Sequence, residues 1–146
     1  LFGAALADAP ASVRAAFSGY GLPLGEAFQL RDDILGVFGD PTRTGKPAGD
    51  DLREGKRTYL VAAAVSAADP VGRAALLAGL GDPELDEARV VALREIIDGT
   101  GALARTERRI AELTRQALAA LAGVDLEAEA SGVLIELARV ATQRGA

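Results

Sequence analysis

Gly25–Tyr59 reads GEAFQLRDDILGVFGDPTRTGKPAGDDLREGKRTY, and this stretch decides the fold and the chemistry. Its first part, with Ala27, Leu30, Ile34, Leu35 and Phe38 at helical spacing, predicts a helix that carries Phe28-Gln29 and the pair Asp32-Asp33. A polar loop broken by Pro41, Gly45, Pro47, Gly49 and Gly55 follows, and it carries Lys46 and Lys56. Carboxylates hold a hard cation, and separated ammonium groups neutralise phosphate oxygens as point charges. The combination suits a magnesium-bound diphosphate. Lys plus Arg total 16, yet Lys46 and Lys56 are the only lysines. A chain that otherwise uses Arg throughout selects a compact, strongly hydrated ammonium at these two positions.

The segment resembles the second aspartate-rich region of the trans-type isoprenyl diphosphate synthases, which include farnesyl, geranylgeranyl and longer polyprenyl diphosphate synthases. The resemblance rests on Phe28-Gln29, Asp32-Asp33, Phe38-Gly39-Asp40, Thr44-Gly45-Lys46, Asp51 and Gly55-Lys56, in that order. It implies an all-α, partial isoprenoid-synthase fold and a prenyltransferase that condenses isopentenyl diphosphate with an allylic diphosphate. Mg2+ is the implied cofactor. Asp32 would bind a magnesium ion, with Asp33 and Asp51 behind it or acting through water. Lys46 and Lys56 would contact the allylic diphosphate and stabilise it as it leaves. Gln29 and Phe28 would face the reacting carbons or the isopentenyl group. The family further implies a cytoplasmic homodimer.

Two departures from the family pattern matter. The usual motif is DDxxD, and here Asp32-Asp33-Ile34-Leu35 is followed by Gly36. Positions 32 and 36 lie one turn apart on one helix face. Gly36 thus removes a carboxylate from the metal-facing stripe and leaves Asp32 as the main ligand there; Gly36→Asp is expected to be tolerated. The family's first aspartate-rich motif has no counterpart in residues 1–31, where Asp8 and Glu26 are the only acids. The chain opens on Leu1 and contains no Met. Residues 1–146 are read as the C-terminal part of a single synthase domain whose N-terminal half is absent.

Composition narrows the classes. A chain of 146 residues supports one core, and 49% hydrophobic with 4% aromatic content builds it from Ala, Leu and Val. No apolar run is long enough for a membrane span, and no signal-peptide pattern opens the chain. The absence of Cys and His excludes disulfides, thiolate or imidazole metal sites and histidine general-base chemistry. Oxygen ligands select magnesium, calcium or manganese. A net charge of −5 argues against nucleic acid as the main partner.

The remaining pattern is helical throughout, in an antiparallel packing of six to seven helices. Pro10 opens a helix that ends near Gly19, and Pro23 and Gly25 open the motif helix, to about Phe38. Gly39 to Arg57 is a loop with few large apolar residues, expected to be mobile without ligand. Further helices are expected over Thr58–Ala68, 71–80, Pro83–Asp98, Ala102–Ala122 and Leu126–Gln143. Arg31, Arg43, Arg53 and Arg57 are expected to pair with Asp40, Asp50, Asp51 and Glu54. Tyr20 and Tyr59 read as core or rim. Two other functions fit parts of the pattern. A class I terpene cyclase ionises the same substrates, but its Asn/Asp–Ser/Thr–Glu motif is not found. A non-catalytic helical diphosphate-binding subunit fits the lost acid at Gly36, but leaves both lysines unexplained.

Overall fold

A computed structural model describes residues 2–45, 47 and 49–143, without the side chains of Arg43 and Thr44. The described residues form helices and connecting turns, with no strand. In chain order they are α1 (Phe2–Leu6), α2 (Ala11–Phe38), α3 (Pro41–Thr44), α4 (Asp50–Arg53), α5 (Tyr59–Ala67), α6 (Pro70–Gly79), α7 (Glu87–Gly99), α8 (Ala102–Leu121) and α9 (Ala128–Gln143).

Side-chain caps set several of these starts. The Thr58 hydroxyl accepts from the Val61 amide, the Asp69 carboxylate from Gly72 and the Asp86 carboxylate from Arg89. Each satisfies an amide that has no partner inside its helix, worth about 1 kcal/mol. Pro70 sits in the first turn of α6, where its missing donor costs nothing. Pro83, expected to start α7, lies in the preceding turn instead. The N-cap is Asp86, whose carboxylate accepts from the Arg89 amide.

Two further expectations are corrected. The break at Pro23 does not occur, because α2 runs unbroken from Ala11 to Phe38. Proline removes a single donor. Tyr20, Leu24 and Ala27 continue one buried stripe through it, and that packing outweighs the lost bond. The expected loop from Gly39 to Arg57 contains two short helical turns. Asp40 Oδ1 accepts from both the amide and the hydroxyl of Thr42, with Pro41 first in α3. The second turn, α4, inserts Leu52, which is 1% exposed. Burying a leucine contributes roughly 1.5–3 kcal/mol, so this half of the loop is packed in place.

The chain divides into two compact units. In the first, residues 2–29 and 109–143, the core is Tyr20, Leu24, Ala117, Leu121 and Ala138, with Phe17 and Leu134 packed against it. Tyr20 belongs to the core, and its hydroxyl donates to the Leu134 carbonyl at 2.7 Å. Arg109 pairs with Glu26 at 2.9 Å. The second unit, Leu30–Arg108, buries Leu30, Ile34 and Val37 of α2 with Leu52, Leu60, Val90, Leu93 and Ile97. Helices α5, α6 and α7 pack pairwise within it.

Candidate metal and diphosphate site

The last turns of α2 sort the acidic pair. Leu30, Ile34 and Val37 recur at helical spacing and are buried, and Asp33 lies with them at 7% exposure. Asp32, one position earlier, is exposed. The same segment is fixed at two points in the second unit. Arg31, itself buried, donates from both terminal nitrogens to the Glu107 carboxylate, at 2.7 and 2.6 Å. Arg94 donates from Nε to the Val37 carbonyl at 2.5 Å and lies 5.9 Å from the centre of the Phe38 ring. Its guanidinium therefore meets a carbonyl at the helix C-terminus, where a cation is favoured. Burial lowers the Arg94 pKa. The sequence reading missed Arg94, which sits unmarked on the α7 pattern.

Asp51 approaches from α4. It is 4% exposed, and its Oδ1 accepts from Lys56 Nζ at 2.5 Å. Lys56 also reaches Glu54 Oε2 at 3.1 Å. The hydrogen bond that Lys56 donates to Asp51, and then that to Glu54, raise the Lys56 pKa above its ordinary value. The backbone around the pair is tied down. Gly81 N–H donates to the Leu52 carbonyl at 2.8 Å, and Arg53 Nε donates to the Leu85 carbonyl at 2.9 Å. Gly55 has a φ of +71°, and a Cβ there would stand 3.1 Å from the Gly81 Cα, so the two chains cross where only glycine fits.

Position 36 of α2 is approached closely by the loop. A Cβ built on Gly36 falls inside the contact radius of the Asp51 carboxylate, 2.7 Å from Oδ1 and closer still to Cγ and Oδ2. A side chain at position 36 meets that carboxylate, so Gly36→Asp requires the Asp51 carboxylate to move. Arg31 pairs with Glu107, and Arg53 donates to the Leu85 carbonyl. Lys46 lies outside the described residues. Phe28, 40% exposed, and Gln29, also exposed, belong to the first unit.

The donor set fits magnesium in one particular way. Among the described residues no three acidic side chains converge as an all-protein cage. Magnesium characteristically takes one or two carboxylates and completes its shell with water and substrate phosphates. An exposed Asp32 and a loop carboxylate held by a displaceable ammonium match that pattern.

Residues 1–97 match the polyprenyl synthetase family. The chain is 40% identical over 130 residues to geranylfarnesyl diphosphate synthase of Aeropyrum pernix, covering 87% of this chain and 40% of that one. Among solved structures, geranylgeranyl pyrophosphate synthase from Corynebacterium glutamicum, complexed with isoprenyl diphosphate and magnesium, matches with a TM-score of 0.93 and 45% identity over 97% of this chain and 40% of that chain. A polyprenyl synthase from Caulobacter crescentus, complexed with calcium and isoprenyl diphosphate, matches at 0.86 with 38% identity, covering 99% of this chain and 44% of that chain. The fold is that of the isoprenyl synthases. The chain belongs to the polyprenyl synthetase family and spans 40% of the length of the geranylfarnesyl relative. No helix among the described residues is long and apolar enough to cross a membrane.

Proposed function

We propose that this chain supplies the second aspartate-rich half of the active site of a prenyltransferase, which condenses isopentenyl diphosphate with an allylic diphosphate. The observation that carries the reading is the Asp51–Lys56 pair packed against α2 one turn from the exposed Asp32. It sets a carboxylate and an ammonium beside the helix face where the acidic motif begins. Bound Mg2+ would supply charge stabilisation on the departing diphosphate oxygens. Asp32 would hold the ion from the helix, with Asp33 and Asp51 behind it or acting through water. Lys56 exchanges Asp51 for a diphosphate oxygen, and Lys46 adds a second positive charge from the same loop. These groups are in place before the C–O bond breaks, so little reorganisation is required during the step. Gln29 and Phe28 orient the substrate on their face of α2. Diphosphate released from the allylic substrate takes the final proton. The complete enzyme is a cytoplasmic homodimer on this reading.

The test is transfer of labelled isopentenyl diphosphate to an allylic diphosphate by the complete enzyme in Mg2+. Head-to-tail product that disappears on chelation is the expected result. Cyclised hydrocarbon without incorporation of isopentenyl carbon would replace the reading with a cyclase.

A further inference from the structure

Gly36 breaks the acidic motif at the position where a third carboxylate is expected, and the space it leaves is full. The carboxylate of Asp51 lies where a side chain at position 36 would begin. That carboxylate is 5% exposed and accepts a hydrogen bond from Lys56. Position 36 shares its helix face with Asp32 at i, i+4, where Cβ atoms stand about 5–6 Å apart. A carboxylate delivered to the surface of α2 at Gly36 is therefore within bridging distance of the one on Asp32.

We propose that Gly36 is a positioning residue that acts through Asp51. Its missing side chain admits the loop carboxylate onto the metal-facing stripe of α2, so the second acidic ligand comes from α4 and not from the helix itself. Lys56 is the resident cation of that carboxylate until a metal takes its place. This rests on the reading of the site as a magnesium–diphosphate site, and it assigns Asp51 a direct role in place of one through water. Any side chain at position 36 evicts Asp51, and moving the acid from 51 to 36 restores the carboxylate by the other route.

Mn2+ binding, followed by electron paramagnetic resonance with inorganic pyrophosphate present, reads this without turnover. Gly36→Ala and Asp51→Ala are each expected to weaken Mn2+ binding by about tenfold or more, the usual loss when a ligand's support is removed. The two changes act through one carboxylate, so Gly36→Ala/Asp51→Ala binds no more weakly than Asp51→Ala alone. The relocated acid in Gly36→Asp/Asp51→Ala returns affinity to within about threefold of the unmodified chain, because interacting sites couple and do not add. Thermal melting supplies a second readout. Alanine ordinarily stabilises a helix relative to glycine. Here Gly36→Ala lowers the melting temperature while Asp51 is present and raises it in the Asp51→Ala background. A purely structural contact would reproduce the melting pattern without recovery of metal binding in the relocated variant. Unchanged Mn2+ affinity in Gly36→Ala, or a relocated variant no better than Asp51→Ala, overturns the inference. Absence of Mn2+ binding by the unmodified chain contradicts the proposed site itself and this inference with it.

Discussion

Lys56 Nζ stands 2.5 Å from Asp51 Oδ1 and 3.1 Å from Glu54 Oε2, and it bridges a buried carboxylate to an exposed one. The pairing raises the lysine pKa in the folded chain. A raised folded-state value contributes stability that is fully present below the unfolded value, about 10.4, and is lost as pH rises through the folded one. The side chain is 42% exposed, so solvent screening keeps the contribution small. Burial raises the Tyr20 pKa as well, with loss in the same direction. The comparison is therefore between the unmodified chain and Lys56→Met. Their melting temperatures are expected to differ at neutral pH and to converge at strongly alkaline pH. A gap that widens with alkalinity would contradict the pairing.

The Arg31–Glu107 pair is asymmetric, with side-chain exposures of 7% and 43%. Glu107→Ala removes the bidentate partner of a buried guanidinium, whereas Arg31→Met leaves a carboxylate that water can reach. Removing a partner from a buried charged group costs about 1–3 kcal/mol, with more for a fully buried pair. Glu107→Ala is expected to fall in that range and to exceed Arg31→Met. Urea titration of the two variants checks the order.

Gly55 allows the loop carrying Lys56 to cross the turn at Gly81. Gly55→Ala combines a left-handed backbone with a 3.1 Å approach to the Gly81 Cα. The strain is of order 1–3 kcal/mol. It is expected to lower overall stability and to speed hydrogen exchange at the Gly81 amide, whose acceptor is the Leu52 carbonyl. Unchanged exchange would mean that the crossing does not anchor the loop.

Lys46 tests the argument from residue choice. Arginine keeps the charge but brings a wide planar fork to a position where a point charge is expected. Lys46→Arg in the complete enzyme is expected to lose most of the activity that Lys46→Ala loses. Near-full activity in the arginine variant would show that charge alone matters there.

Local patterns carried much of this into the sequence. The α2 stripe through Leu30 and Ile34 separates an exposed Asp32 from a buried Asp33, because helical periodicity fixes which residues share a face. The helix beginning near Thr58 was legible as an apolar run bounded by Pro70. What escaped depends on contacts between residues distant in sequence. Nothing near Gly36 signals that a carboxylate fifteen positions later fills its space. Leu52 is a single apolar residue in a polar run, so its near-complete burial has no periodic signature. Pro23 reads as a boundary because the packing that carries α2 through it involves Ala117 and Leu121 of α8.

On the proposed reading Asp32 holds the metal that stabilises departing diphosphate. Steady-state kinetics of Asp32→Asn in the complete enzyme, with Mg2+ varied, test it most directly. Loss of a preorganised electrostatic group costs roughly 3–4 kcal/mol, or about 10²–10³ in rate. The account predicts a loss of that size, with a raised Mg2+ requirement and little change in binding of the uncharged prenyl tail. A loss below about tenfold, less than 1.4 kcal/mol, with an unchanged Mg2+ dependence would show that Asp32 is not the principal ligand.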